Sequence, residues 1–487
     1  MLLLGYDIGS SSVKASLIRV EDSRTVASAS SPSEEAPILS LRPGWAEQNP
    51  NDWWEYLKEA TLKLKPSLES DKVAAIGISY QMHGLVCVGR DLRPLRNAII
   101  WCDSRAVPYG QKAFAEIGAD RCLKHNLNSP GNFTAAKLAW VKENEPELYR
   151  QIYKILLPGD YIATRMSGEA TSTVSGLSEG ILWDFRQNCV STEILDALGL
   201  DPAMIARTVP CFGESLHLGS AAAQELGLEA GIPICYRAGD QPNNAFSLNV
   251  LRPGEIAATA GTSGVVYGVS GKIACDPLSR VNSFAHVNHS PEDPRIGILL
   301  CINGSGILNA WTRRNVAPEG LTYAEMNAQA AKVPVGCEGL SILPFGNGAE
   351  RMLGNLAPGC SIHGLDFNRH SRAHIYRAVQ EGIAFSFRYG MDIMSEMGMK
   401  ASDIHAGAAN LFLSSVFRKT LSSVTGTVIN LYDTDGAAGA ARGAGVGCGI
   451  YRNTDEAFEG LGIIGSQTPE DRKLYEAAYQ NWKEHLM

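Results

Sequence analysis

The chain has 487 residues, 45% of them hydrophobic and 19% charged, and its net charge is −8. This composition is ordinary for a globular protein and excludes long disorder and fibrous repeats. The length favours two domains, and the acidic balance without a Lys/Arg block argues against nucleic acid as a partner. The longest apolar runs are far shorter than the ~20 residues of a spanning helix, so we expect no membrane partner.

Two predicted hairpins carry tips rich in glycine and hydroxyl residues. The first spans Leu2–Val20 and has Gly9–Ser12 at its tip, which we call the first glycine turn. The second spans Glu255–Val269 and has Gly261–Gly264 at its tip, which we call the second glycine turn. Two such strand–turn–strand units indicate an internal duplication. Both turns offer free backbone N–H groups, the chemistry of a phosphate-binding loop.

Strand and helix patterns alternate through the rest of the chain, which favours an α/β fold. A domain junction is predicted near residues 245–253. The remaining predicted elements are, in chain order, a helix at Asn51–Leu64 capped by Asn51 or Asp52, strands at Val73–Ser79 and Ile99–Trp101, helices at Ala135–Val141, Pro146–Tyr153 and Asn243–Leu248, and helices at Ile375–Met397 and Leu411–Val424.

Two aspartates stand at chemically suggestive positions. Asp7 directly precedes the first glycine turn, where it would repel a phosphate unless a cation such as Mg²⁺ lay between them. Lys14 follows on the next strand and is long enough to reach the same phosphate. Asp240 precedes a predicted helix at the domain junction. It is either a helix cap or an ionised carboxylate able to accept a proton from a substrate hydroxyl.

Met82-His83-Gly84 follows a predicted buried strand, at the kind of edge where α/β proteins collect ligands. His83 and the neighbouring Gln81 could bind a polyol, although a buried structural histidine fits the spacing equally well. These parts suggest a phosphotransferase or an ATPase that phosphorylates nothing. No P-loop, G-x-G-x-x-G, G-x-S-x-G or H-E-x-x-H motif occurs.

The eleven cysteines are scattered singly, and none forms a CxxC pair. The chain starts Met1-Leu2-Leu3-Leu4 and reaches Asp7 without a basic segment, unlike a signal peptide. We therefore expect reduced thiols and a cytoplasmic protein.

The sequence resembles the FGGY carbohydrate kinases of the actin-like ATPase superfamily, from end to end. The motifs that carry the resemblance are Asp7–Lys14, Trp45–Pro50 with Trp53-Trp54, Gln81–Gly84, Trp101–Arg105, Gly131–Leu138, Leu157–Tyr161 and Ala260–Gly264. Within the family they are most similar to those of the members that phosphorylate D-xylulose. No single motif is specific, but the combination is.

The resemblance implies two actin-like (ribonuclease H-like) domains, residues 1–247 and 248–487, flanking a deep catalytic cleft. It implies transfer of phosphate from ATP to a ketopentose, giving ADP and the sugar 5-phosphate. It makes Asp240 the catalytic base, and Asp7 with Asp240 the Mg²⁺ ligands. The implied sugar-binding residues are Met82, His83, Trp101, Asp103, Asp240 and Gln241. The implied nucleotide-binding residues are Gly9, Ser10, Ser11, Lys14, Gly261, Thr262, Ser263, Gly306, Gly407 and Asn410.

Two departures from the family pattern bear on these expectations. Gln241 stands where the family usually has asparagine after the base, so its amide reaches one methylene further. Ala406 and Ala408 flank Gly407 where glycines are usual. Their methyl groups leave less room for the backbone to come close to the nucleotide.

Two alternative functions remain open. One is a kinase for another ketose or polyol, such as ribulose or fuculose. The other is a non-catalytic actin-like protein that binds sugar or nucleotide as a regulator. A homodimer is a further expectation.

Overall fold

The computed structural model describes residues 1–68 and 72–486. The strands are β1 Leu2–Ile8, β2 Val13–Arg19, β3 Thr25–Ser31, β4 Glu47–Gln48, β5 Val73–Tyr80, β6 Val86–Val88, β7 Ala98–Ile99, β8 Lys154–Leu156, β9 Thr171–Thr173, β10 Trp183–Asp184, β11 Cys189–Val190, β12 Arg207–Val209, β13 Phe212–His217, β14 Pro233–Gly239, β15 Glu255–Ala260, β16 Gly264–Ser270, β17 Asn282–Ala285, β18 Ile296–Ile302, β19 Ser341–Phe345, β20 Gly359–His363, β21 Asp403–Gly407, β22 Val428–Tyr432 and β23 Ile463–Gln467.

The α-helices lie between and after these strands. They are α1 Pro50–Lys63, α2 Val107–Ile117, α3 Ala119–Asn126, α4 Thr134–Asn144, α5 Pro146–Tyr149, α6 Pro158–Ser167, α7 Val174–Glu179, α8 Thr192–Leu198, α9 Ser220–Leu226, α10 Asp240–Ser247, α11 Ser305–Asn315, α12 Tyr323–Ala330, α13 Arg372–Glu396, α14 Ser415–Thr425, α15 Gly436–Gly447, α16 Thr454–Ala457 and α17 Arg472–Glu484.

Two large sheets organise the molecule. The first has the strand order β13-β14-β5-β1-β2-β3, and the second has the order β17-β18-β16-β15-β21-β22-β23. In each sheet a glycine-turn hairpin (β1–β2 or β15–β16) lies beside two parallel strands (β5 and β14, or β21 and β22). The matching order and strand directions agree with the predicted internal duplication.

Helix α15 follows β22 of the second sheet but packs against β1 and β5 of the first. Its sequence, GAAGAARGAGVG, consists almost entirely of glycine and alanine. A Cβ at Gly5 or Gly77 would collide with the backbone of α15. Small residues on both surfaces therefore let the helix lie directly on β1, which leads into the first glycine turn, and on its neighbour β5.

Most predicted elements are present, with shifted boundaries. Helix α1 begins at Pro50, and its N-cap is Asn49, whose side chain accepts the Asn51 N–H at 3.1 Å; the predicted caps Asn51 and Asp52 were wrong. The strand predicted at Ile99–Trp101 is only Ala98–Ile99. The helix predicted at Pro146–Tyr153 ends at Tyr149.

Two boundary changes lie near the predicted site. Helix α10 begins at Asp240 itself, with Gly239 as N-cap, so Asp240 lies in the first turn and is not the cap. The helix predicted at Leu411–Val424 is a 3₁₀ turn, Asn410–Leu413, followed by α14, because Ser414 is extended.

Among the described residues, no helix has the length and apolar character that crossing a membrane would require.

Candidate active site

The first glycine turn joins the neighbouring strands β1 and β2. Asp7, near the end of β1, lies opposite Lys14 on β2 and opposite Ser79 on β5. The Ser79 hydroxyl donates to the Asp7 carboxylate at 2.9 Å. Burial raises the pKa of Asp7; the Ser79 bond opposes this rise, and the charge of Asp435 adds to it. Within the turn, the Gly9 N–H donates to the Ser12 carbonyl at 3.0 Å.

The buried side chain of Gln48 connects the first glycine turn to the predicted sugar motif. Its amide donates to the Ser10 carbonyl at 2.7 Å, and its oxygen accepts the Gln81 amide at 3.0 Å and the Trp53 indole N–H at 3.1 Å. Because Gln81 immediately precedes Met82 and His83, the backbone of the turn and the sugar motif share one hydrogen-bond network. Sequence reasoning gave Gln48 no role of its own.

His83 is held in a defined orientation. Its backbone is left-handed, with φ of 63°, which is unusual for a residue other than glycine. The Lys137 ammonium donates to the His83 carbonyl at 2.8 Å, and the ring Nδ1 lies 3.0 Å from the Glu179 carbonyl. The ring also meets the edges of Phe133 and Phe284, with centroids 4.7 and 5.3 Å away.

These contacts determine the protonation of His83. Burial, followed by the charge of Lys137, lowers the pKa of His83 to about 3, so the ring is neutral near pH 7. A carbonyl can only accept, so Nδ1 carries the proton and Nε2 is left as an acceptor. Burial also lowers the pKa of Lys137 to about 7, although the charge of Asp103 opposes this shift.

Asp240 stands at the start of α10, directly after the last residue of β14. Burial, followed by the charge of Asp7, raises its pKa to about 7. Both the backbone N–H and the side chain of Gln241 donate to the Asp240 carboxylate and oppose the rise. The longer side chain of Gln241 thus bonds to the predicted base, a contact that the sequence did not suggest.

Asp103 is held by donors from the protein itself. Its side chain is fully buried, and it accepts the Ala46 N–H at 2.6 Å and Arg105 guanidinium N–H groups at 2.7–3.0 Å. Arg105 in turn pairs with Glu47 at 2.7 Å. Since protein donors contact both of its oxygens, Asp103 joins two motif segments, and the sugar contact suggested for it stays a prediction. Trp101 is 52% exposed.

The second glycine turn is supported mainly by backbone. The Gly306 N–H donates to the Gly261 carbonyl at 2.9 Å, and the Ile307 N–H donates to the Thr262 carbonyl at 3.1 Å. A Cβ on Gly306 would clash with the Gly261 carbonyl, so this approach requires glycine. Thr262 and Ser263 at the tip are exposed.

Asn410 completes the surroundings of this turn. Its side-chain nitrogen lies 3.6 Å from the position that a Cβ on Gly261 would take, and its backbone is left-handed with φ of 53°. Gly407 has open space where a Cβ would stand. The structure therefore brings Gly261, Gly306 and Asn410 together and leaves free space beside Gly407.

Sequence reasoning missed Glu179, the last residue of α7. Its side chain is 1% exposed and lies against Gly239, immediately before Asp240. Burial raises the pKa of Glu179 well above its ordinary value; the nearby Tyr80 hydroxyl opposes this rise, and the charge of Asp240 adds to it. No local motif surrounds Glu179, so only the folded structure brings it to the site.

This geometry joins a glycine turn beside carboxylates, a neutral histidine held for hydrogen bonding, and a second glycine turn. The N-terminal domain of the FGGY family of carbohydrate kinases matches residues 2–247, and the C-terminal domain of that family matches residues 256–448. The chain belongs to the FGGY family of carbohydrate kinases. The family predicted from the motifs is thereby confirmed.

Curated relatives of this FGGY chain include two bacterial xylulose kinases. That of Escherichia coli K12 is 29% identical, with 99% of this chain and 97% of the relative covered. That of Bacillus subtilis 168 is 28% identical, with 94% and 90% covered.

Solved structures agree over the whole length. A xylulose kinase from Rhodospirillum rubrum has a TM-score of 0.90 at 25% identity, covering 100% of this chain and 98% of its own. A Brucella ovis structure described as a xyloylose kinase has a TM-score of 0.89 at 26% identity, with the same coverage. The predicted α/β, actin-like fold is confirmed.

Proposed function

We propose that this FGGY kinase transfers the γ-phosphate of ATP to the 5-hydroxyl of D-xylulose, giving ADP and D-xylulose 5-phosphate. The observation that carries the proposal is the convergence of Asp7, Asp240 and a neutral, oriented His83 at the ends of β1, β14 and β5. The names of the most similar relatives support the choice of sugar.

Asp240 is the proposed base. An ionised carboxylate at the start of a helix can accept the proton of the hydroxyl that attacks the phosphate. Its pKa of about 7 keeps it partly protonated at neutral pH, and the two bonds from Gln241 favour its ionised form. Phosphoryl transfer has a loose transition state, so positioning and charge compensation contribute more than proton removal.

His83 and Met82 are the proposed sugar contacts. With Nδ1 bonded to the Glu179 carbonyl, the free Nε2 of His83 can accept a hydrogen bond from a sugar hydroxyl. Lys137 holds the His83 backbone and the Phe133 ring packs against the imidazole before the sugar arrives, which reduces the ordering needed on binding. We assign Asp103 and Gln48 to positioning the surrounding segments.

The carboxylates Asp7 and Asp240 suit a divalent cation. Each has a raised pKa because of its burial, and the charge of Asp7 raises the pKa of Asp240 further. One or two carboxylates plus phosphate oxygens are what Mg²⁺ prefers. When bound, Mg²⁺ would neutralise charge on the β- and γ-phosphates. The two glycine turns would hold the phosphates through backbone N–H groups, and Gly306 and Asn410 would border the nucleotide.

The remaining expectations are also proposals. We assign the sugar and first phosphate turn to a domain at residues 1–247, and the nucleotide and second turn to a domain at residues 248–487. A cytoplasmic location and a homodimer are expected as well. Sedimentation of the purified chain tests the dimer.

The test is coupled ADP release with Mg·ATP across D-xylulose, D-ribulose, L-ribulose, L-fuculose, glycerol and no sugar. Turnover restricted to D-xylulose is the expected result. Turnover with another sugar would support phosphoryl transfer from ATP but show that the substrate is not D-xylulose. Absence of sugar-dependent ADP from folded, ATP-binding protein would instead favour a regulator.

A further inference from the structure

Glu179 differs from the other buried acids of this molecule in what surrounds it. Asp160 has Arg237 at 2.7 Å, Glu381 has Arg377 at 2.6 Å, and Asp103 has Arg105 at 2.7 Å. Glu179 is as buried as these residues, but it forms no ion pair with lysine or arginine among residues 1–68 and 72–486. Neither of its oxygens has a hydrogen-bond partner of ordinary geometry in that part of the chain, although the Tyr80 hydroxyl is a neighbouring donor that affects its pKa.

Two buried cations, Lys137 and Arg237, are committed to other partners. Lys137 donates to the His83 carbonyl at 2.8 Å, and Arg237 pairs with Asp160 at 2.7 Å. A buried polar group without a partner destabilises the protein, and a buried unpaired charge does so far more strongly. Burial accordingly raises the pKa of Glu179 well above its ordinary value, which favours the protonated carboxyl. A protonated carboxyl offers one donor and further acceptor capacity.

The Glu179 carboxyl lies at the sugar site and not elsewhere in the core. The position of a Cβ on Gly239 is 2.8 Å from Glu179 Oε2 and 2.6 Å from Met82 Cγ. Glu179 Oε2 is also 3.9 Å from Nδ1 of His83. Glu179 Oε2 and Met82 Cγ therefore approach the same point above Gly239, the residue that precedes Asp240. Met82 has an unbranched thioether side chain, which can rotate at little cost.

We propose that Glu179 is a specificity-determining residue whose carboxyl forms a hydrogen bond with a substrate hydroxyl once Met82 moves aside. The proposal rests on the proposed sugar kinase function and adds a contact to the same pocket. A site built to bond a hydroxyl discriminates strongly against an analogue without it, because the protein group is then left unpaired.

The test compares wild type, Glu179→Leu and Glu179→Gln on D-xylulose and on its 1-, 3- and 4-deoxy analogues. For one analogue, we expect wild-type kcat/KM to fall on the order of 10- to 100-fold, and Glu179→Leu to lose most of that discrimination. Glu179→Gln keeps a donor and an acceptor and should retain wild-type discrimination within about threefold. The KM for ATP should be unchanged in both variants.

Tyr80→Phe is the matched control, since it removes only the buried hydroxyl beside Glu179 and should leave discrimination unchanged. Thermal melting of each variant separates folding from recognition.

Equal discrimination by wild type and Glu179→Leu for every analogue would overturn the contact. If wild type prefers another sugar, the choice of D-xylulose fails and the comparison is repeated with deoxy forms of that sugar. Absence of turnover with every sugar overturns both proposals.

Discussion

The two glycine turns are topologically equivalent, but their surroundings differ. Around the first turn, side chains supply the chemistry, because the charge of Asp7 raises the pKa of Asp240 and the Gln48 amide donates to the Ser10 carbonyl. Around the second turn, backbone supplies the support, because Gly306 and Ile307 donate to the turn carbonyls. The duplicated hairpin thus serves two purposes within one molecule.

This difference suggests a division of labour between the turns. A site rich in carboxylates can accept protons and hold a cation, whereas a site built from backbone N–H groups can hold anions without changing charge. We therefore expect substitutions near the first turn to affect turnover and the sugar, and those near the second turn to affect the nucleotide.

The largest effect is expected from Asp240→Asn. This change keeps the shape of the side chain but removes the proton acceptor, so kcat should fall about 10³-fold while ATP affinity stays within about threefold. The melting temperature should not decrease, because the substitution removes a carboxyl group whose ionised form is disfavoured by burial. Steady-state kinetics and calorimetric ATP titration measure these quantities.

Gln241→Asn is the matched control for this substitution. It shortens the residue that donates to Asp240 and restores the asparagine usual in the family, so turnover should stay within about tenfold. An Asp240→Asn variant that retains more than about a tenth of wild-type kcat would show that Asp240 is not the base.

The next largest effect is expected from Gly306→Ala at the second turn. The added methyl would collide with the Gly261 carbonyl and displace the turn, at about 1–3 kcal/mol. The KM for ATP should rise about 5- to 150-fold, with the sugar KM little changed. Gly462→Ala is the control, since open space surrounds Gly462. A rise confined to the sugar KM would contradict the division of labour.

Gln48→Leu tests the link between the first turn and the sugar motif. It leaves the Ser10 carbonyl and the Gln81 amide without their partner, which destabilises the site by about 1–3 kcal/mol. Both the sugar KM and kcat should worsen by about tenfold. Exposed Gln151→Leu should have no such effect, and a Gln48→Leu enzyme with wild-type kinetics would show that the network is not needed.

Local sequence sufficed for the two hairpins, because glycine and hydroxyl residues between apolar strands predict a turn wherever they occur. It also identified Asp240, whose position follows from a strand end and a helix start. The helix boundary was misplaced, since Asp240 is as compatible with a first turn as with a cap.

Other site features depend on contacts between distant segments. Asp103 accepts the Ala46 N–H, 57 residues earlier in the chain, and so joins two distant segments. Glu179 acquires its environment only when α7 meets the ends of β5 and β14. No local pattern distinguishes it from a surface glutamate at a helix end. Such roles follow from tertiary packing, which a single sequence does not reveal.

A smaller effect is expected from pH, and it should differ between the sugar and the nucleotide. The pKa of Asp240 is about 7, and the base must be ionised to act. Below this pH, kcat/KM for the sugar should therefore decrease about tenfold for each pH unit. ATP affinity measured with saturating Mg²⁺ should vary less between pH 6 and 8. An acid limb of equal size in ATP affinity would indicate that protonation acts on both turns alike.

The smallest effect is expected from Asn410→Ala. Asn410 is exposed, and its amide lies beside Gly261 without being buried, so its loss removes at most one hydrogen bond to the nucleotide. The KM for ATP should rise about two- to fivefold, corresponding to less than about 1 kcal/mol, with kcat unchanged. Asn410→Gly is the informative partner, because its left-handed φ of 53° suits glycine. If Asn410→Ala weakens ATP binding and Asn410→Gly does not, the residue acts through backbone conformation, and the second turn is then a backbone site throughout.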